Sequence, residues 1–269
     1  MKKNEEMSFF GHLDELRKRL TVMAIVTLGA SAFLFTKVDW ILDYFLAINP
    51  GMELVFITPS ELLAVYIQLS LIMALVVCSP VNIYEIWAFV EKGLYKHEKI
   101  YILISLVFGV IFFAGGVAFC YFMVLPTTLK FFMRIAVEAV SSMISIKSYI
   151  SFVNTMLLCF GAVFEMPVLV FLLTKLRVLK PKFLKDNRGV ILIAIFILAA
   201  IITPPDVVSQ LMLAVPMVML LQLSIFICVV VDKTNLKKDE ELMAEYSEED
   251  EETKETSETA EKSAENASV

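Results

Sequence analysis

Long apolar runs separated by short charged segments set the plan of this chain. A bilayer core about 30 Å thick needs roughly 20 apolar residues in a helix to cross it. The charge-free windows predict six spans. The first covers residues 20–36. The second covers 62–84, with Pro80 near its end. The third lies within 100–129, where Gly115-Gly116 permits close packing and Pro126 stands near the exit. The fourth, 148–174, carries one charged side chain, Glu165, two residues before Pro167. The fifth, 190–202, is ended by Thr203-Pro204-Pro205-Asp206. Its length corresponds to about 20 Å at 1.5 Å per residue, so it predicts local thinning or shielding by neighbours. The sixth lies within 207–231, interrupted by Pro216 and carrying Gln222.

The connecting segments have patterns of their own. In SFFGHLDELRKRL at 8–20, Phe9, Leu13, Leu16 and Leu20 fall at helical spacing and predict a short amphipathic helix leading into the first span. Asp14–Lys18 and Glu15–Arg19 are i,i+4 pairs in the favourable order, so an ordinary surface ion pair is the plain account of Glu15. Glu98, with Lys96 and Lys99 beside it, reads in the same way as a solvated charge. Residues 39–48, DWILDYFLAI, predict an interfacial helix with Trp40 and Tyr44 at the headgroups. Ala30-Ser31-Ala32 after a basic start has the look of a cleavage site. Hydrophobicity continues through Phe35, however, and the leading segment carries four acids, so no cleavage is expected.

Composition agrees with a membrane protein: 58% of residues are hydrophobic and 19% charged, with a mean hydropathy of +0.76. The net charge of −6 hides a division. Residues 232–269 hold 14 acids and 5 bases, whereas the rest of the chain is slightly basic. Three parts are therefore expected: a cytoplasmic segment 1–19, a membrane domain 20–231, and a disordered, solvating acidic tail 232–269. Nineteen Lys/Arg residues fall in the two ends and the loops 91–99 and 175–188, against four on the other side. The rule that positive loops stay inside predicts both termini in the cytoplasm.

Little chemistry of other kinds is legible. Cys78, Cys120, Cys159 and Cys228 lie in apolar runs without CxxC spacing and predict buried packing. His12 and His97 have no second ligand at metal spacing, and no nucleotide-binding or serine-nucleophile motif is present. No cofactor, metal or nucleic-acid partner is expected. Glu165 stands apart, because a carboxylate in a span is expensive and Pro167 kinks the helix beside it. Function is favoured there over a packing role, which membrane helices usually give to Ser, Thr or Asn.

HLDELRKRL at 12–20, IWAF…GLYKHEK at 86–99, FGAVFEMPV at 160–168 and TPPDVVSQ…AVPM at 203–217 together resemble the TatC family. These are receptor subunits of the twin-arginine protein translocase. The resemblance covers residues 8–231 and implies an all-α polytopic protein of six transmembrane helices, the last two short, in the bacterial cytoplasmic membrane. It implies a receptor, not an enzyme. Such a receptor binds Arg-Arg signal peptides of folded precursors and assembles, itself oligomeric, with TatA- and TatB-type single-span partners for export driven by the proton-motive force. By the same resemblance, Glu15, Arg17 and Glu98 belong to the signal-binding face. Glu165 is the intramembrane acid and Asp206 the acid after the double proline. Thr203 and Gln210 are polar positions for a partner helix. Gln222 stands where many relatives have Glu, so it can hydrogen-bond but carries no charge. Two other classes remain open from the residues alone. One is a proton-coupled secondary transporter using Glu165, although no internal repeat relates the two halves. The other is a structural scaffold whose acids are dispensable.

Overall fold

The computed structural model describes residues 9–91, 99–135, 143–202 and 207–266. Helices α1 (Phe9–Phe35), α2 (Val38–Leu46), α3 (Pro59–Val77) and α4 (Ser79–Glu91) come first. Helix α5 (Lys99–Phe119) runs through one π-helical turn, Cys120–Val124, into α6 (Leu125–Ile135). Then follow α7 (Ile146–Phe164), α8 (Met166–Lys175), α9 (Pro181–Asp186), α10 (Arg188–Ile202) and α11 (Val207–Asn266). Among the described residues, five helical stretches are long and apolar enough to cross a membrane, and Arg188–Ile201 is a shorter sixth. The helical membrane architecture that the hydropathy pattern predicts is thus present.

Helix α7 is the centre of the bundle. Of the most apolar window in Ile146–Lys175, 44% is buried, against 6% in Leu13–Phe35, so the first span is peripheral and the fourth is enclosed. Tyr149, Ile150, Val153, Met156, Leu157 and Phe160 of α7 meet Val65 and Leu69 of α3, Ile41 and Phe45 of α2, and Leu213 and Met217 of α11. Apolar area alone does not favour helix–helix contact over lipid, so shape must. A Cβ on Gly116 of α5 would lie 2.7 Å from the Phe160 carbonyl oxygen and 2.8 Å from the Phe164 side chain. The missing side chain is what lets α5 and α7 touch. Gly115 has open space instead, so only the second glycine of the pair packs closely.

A short tie on the loop side of α3 and α7 sets their register. Strands β1 (Leu54–Val55) and β2 (Ile144–Ser145) pair in parallel, Leu54 opposite Ile144. Thr58-Pro59-Ser60-Glu61 starts α3 with proline in its first turn. The Glu61 carboxylate accepts the Ile57 N–H at 2.8 Å, the Ser145 hydroxyl, and the Lys147 N–H at 3.3 Å. One buried acid therefore caps α3 and holds the start of α7.

Several boundaries differ from the expected ones. No break separates residues 1–19 from the first span: α1 is continuous from Phe9, because nothing at 19–20 stops a helix. The expected amphipathic stripe is not packed inward, since Leu13, Leu16 and Leu20 are exposed. The second span breaks at Cys78, two residues before Pro80, whose ring cannot follow a helical carbonyl four residues back. Pro216 does not interrupt the sixth span, as α11 passes through it; neighbouring helices allow this in membranes. Helix α11 also continues beyond residue 231 to Asn266. The tail's many Glu, Lys and Ala residues, with no Gly or Pro, have high helix propensity, which a charge-based expectation of disorder does not weigh. Helix α2 does form over the predicted interfacial segment, with Trp40 and Tyr44 exposed and stacked edge-on at 4.7 Å. Cys78, Cys120 and Cys228 are buried, as their apolar settings predict, whereas Cys159 is only half-buried; all four are free.

Gly116→Ala should lower the stability of the detergent-solubilised protein by about 1–3 kcal/mol, because the carbonyl it meets is backbone and cannot turn away. Gly115→Ala, into open space, should change it by no more than about 0.5 kcal/mol. Thermal unfolding of both variants checks the pair; equal midpoints would remove the α5–α7 contact from this role.

Candidate functional site: an ion-paired end and an intramembrane carboxylate

Among the described residues, α1 and α4 are joined by a three-residue ion pair. The Arg19 guanidinium, one turn along α1 from Glu15, donates from Nε to Glu15 Oε1 at 2.7 Å. It also donates from Nη1 to Glu85 Oε2 of α4 at 2.6 Å. The expected i,i+4 pair of Glu15 and Arg19 is therefore present, but it is half of a three-residue bridge. The carboxylate side chains are each 10% exposed and Arg19 is 23% exposed, so this pairing is far less screened than a fully exposed ion pair. Arg17 points away and is exposed; its carbonyl accepts the Thr21 hydroxyl at 2.8 Å. Glu98, the other expected member of this face, lies outside the described residues, so no distance between it and Glu15 follows.

Lys175 at the close of α8 lies 4.8 Å over the Tyr101 ring of α5 and donates to Asn235 Oδ1 of α11 at 2.9 Å. Asn235 returns a bond to the Thr174 carbonyl at 3.1 Å, and the buried Thr174 hydroxyl donates to Cys228 at 3.1 Å. This latch fixes α8 against α11, the most extensive helix pairing among the described residues.

Glu165 sits at the joint of α7 and α8. Its carbonyl accepts from Val168 and Leu169 at 3.0 and 2.9 Å, while Pro167 supplies no donor to the preceding turn, so α7 and α8 meet here at a kink, as the sequence predicts. The side chain turns toward α5 and α4, where a Cβ on Gly109 would stand 3.1 Å from Oε2 and 3.3 Å from Ile83. Oε1 is buried and has no hydrogen-bond partner among the described residues. An unpaired buried oxygen costs the fold, which is the mark of a group held for something other than packing.

The polar positions near α10 behave differently from one another. Gln210 donates from Nε2 to the Phe196 carbonyl at 3.0 Å, tying the start of α11 to α10. Gln222 is exposed on α11. Thr203 and Asp206 lie outside the described residues. The 15 residues of α10 span about 22 Å, so this flank is short against a 30 Å core, as its sequence predicts.

Two carboxylates were missed by sequence reading. Glu85 stands at the end of an apolar run with no cation three or four residues away, a sign that its countercharge comes from elsewhere. Glu61 completes the Thr58-x-x-Glu61 signature of a helix start.

These features define a polytopic helical membrane protein organised around an enclosed, kinked fourth span, with a paired-acid end and an acid, Glu165, that finds no partner among the described residues. The chain belongs to the TatC family: the family model described as "Sec-independent protein translocase protein (TatC)" matches residues 11–216. A TatC protein of Carboxydothermus hydrogenoformans is 37% identical over 227 residues, covering 83% of this chain and 93% of that protein. One of Desulforapulum autotrophicum is 35% identical over 255 residues, 92% and 94% of the two chains. A crystal structure titled "Twin Arginine Translocase Receptor- TatC" superposes with a TM-score of 0.74 at 34% identity, covering 82% of this chain and 99% of that one. The family is one of translocase components rather than enzymes, and the all-helical polytopic fold expected from the sequence motifs is confirmed; of the last two spans, however, only the fifth is short, since Gln210–Lys237 is a full-length apolar stretch that runs through Pro216.

Replacing Glu165 tests whether its oxygen is structural. Glu165→Gln and Glu165→Ala should unfold no earlier than the parent, since they remove or neutralise a buried group that the described residues leave unsatisfied. A thermal midpoint lowered by the equivalent of about 2 kcal/mol or more in both would instead assign Glu165 to holding the fold.

Proposed function

We propose that this chain is the receptor subunit of a twin-arginine translocase, binding Arg-Arg signal peptides of folded precursors at its Glu15 end. The observation that carries the reading is the Arg19 bridge: Glu15 already accepts a guanidinium N–H at 2.7 Å in a partly shielded setting. A planar, permanently charged guanidinium suits a carboxylate better than an ammonium does. Glu98 and Arg17 are assigned to signal binding with Glu15 by the family resemblance of HLDELRKRL and GLYKHEK. Glu165, Gln222, Thr203 and Gln210 serve contacts with TatA- and TatB-type single-span partners, and Asp206 acts beside them. Glu165 supports this part most directly, because an unsatisfied carboxylate beside a helix kink can accept a polar group from an arriving helix. Transport is driven by the proton-motive force, in a receptor complex holding several copies of this chain. The membrane is the bacterial cytoplasmic membrane, and residues 1–19 and 232–269 are the cytoplasmic ends flanking the membrane domain 20–231.

Orientation is testable through labelling. In a variant lacking the native cysteines, a cysteine replacing Ser60 should react with an impermeant reagent from outside intact cells, and one replacing Asn187 should not. The opposite pattern would invert every assignment above.

Recognition is tested with the full chain and synthetic signal peptides. Glu15→Gln should weaken binding of an Arg-Arg peptide about tenfold, toward the low end for a charge-assisted bond because solvent reaches the site. A Lys-Lys peptide should bind the parent less well, and added salt should reduce the difference. Equal affinity for both peptides, with Glu15→Gln matching the parent, would sink the receptor reading.

A further inference from the structure

We infer that Glu85 is a positioning residue for signal recognition, acting through Arg19 to keep Glu15 exchangeable; the inference rests on the receptor reading above. Arg19 presents Nε to Glu15 and Nη1 to Glu85, on separate helices. A guanidinium binds a carboxylate most tightly through two parallel N–H groups. With Nη1 drawn 2.6 Å from Glu85 Oε2, the Arg19 bond to Glu15 runs through Nε. Glu85 also takes a share of the Arg19 charge that Glu15 would otherwise hold entirely.

The consequence is competition set at a useful level. Arg19 is chemically the same group as the arginines of a signal peptide, and it occupies Glu15 before any peptide arrives. Held by both acids, it can give up the bond to Glu15 and remain paired with Glu85, so no charge is stranded in a partly buried place. Without Glu85 the same step would leave Arg19 unpaired by either acid of the bridge, and the internal pair would win more often. Glu85 thus stores the resident guanidinium while Glu15 receives the incoming one.

This has a sign that packing does not. Glu85→Gln keeps the side-chain size but removes the charge, and should weaken Arg-Arg peptide binding about tenfold. Adding Arg19→Gln removes this internal guanidinium, and the Glu85→Gln/Arg19→Gln protein should recover to within about threefold of the parent. A loss that the second substitution deepens or leaves unchanged overturns the inference and makes Glu85 a folding residue. If Glu85→Gln does not elute as a folded protein, Arg19→Gln alone decides: affinity must rise, and an unchanged or lower affinity overturns it. Glu15→Gln in the same assay separates the two readings. If it weakens binding while Glu85→Gln does not, the receptor face stands and the role of Glu85 falls. If Glu15→Gln also matches the parent, both fall.

Discussion

The contact between α5 and α7 at Gly116 is the constraint on which the rest of the molecule depends. In a bilayer there is no water to drive apolar helices together, so contact must come from fit. A residue without a side chain, set against the Phe160 carbonyl and the Phe164 ring, provides that fit on one face of α7. The other faces of α7 are then covered by α2, α3 and α11, and a helix that carries Asn154 as well as Phe160 becomes the enclosed axis. Two turns before Gly116, Gly109 leaves the space into which Glu165 turns. The same glycine-lined face of α5 therefore supports the centre of the bundle and accommodates the Glu165 carboxylate.

Charge is handled by pairing between elements that are distant in sequence. Glu61 closes β1 and β2 against the start of α3 and α7. Arg19 joins α1 to α4, and Lys175 joins α5, α8 and α11. Each of these groups lies near a span end, where a long side chain can reach a partner without leaving its helix. Glu165 is different, lying deeper and beside a kink enforced by Pro167. The structure thus separates acids that hold elements together from an acid that none of the described residues satisfies.

The last two helices form a flank with its own geometry. Helix α10 is too short for an average bilayer, and Gln210 ties α11 to its exit. The α8–α11 latch fixes the middle of α11, through Asn235, Thr174 and Cys228. A short helix tied to its longer neighbour asks the membrane or an adjoining helix to adapt to it.

By itself the sequence determined the class, the number and order of apolar runs, the short fifth span, the kink at Glu165-Met166-Pro167 and the Glu15–Arg19 pair. These follow from local rules: run length, helical period, and the donor that proline lacks. The motifs at 12–20, 86–99, 160–168 and 203–217 also make the family legible from the order of residues alone. Tertiary structure alone decided that α1 is peripheral while α7 is enclosed, because hydropathy scores lipid and protein contact alike. It alone chose Gly116 over Gly115 as the close contact, and found the partner of Glu85 66 residues away on α1. Such pairings depend on which helix faces meet in space, and no period along the chain encodes that.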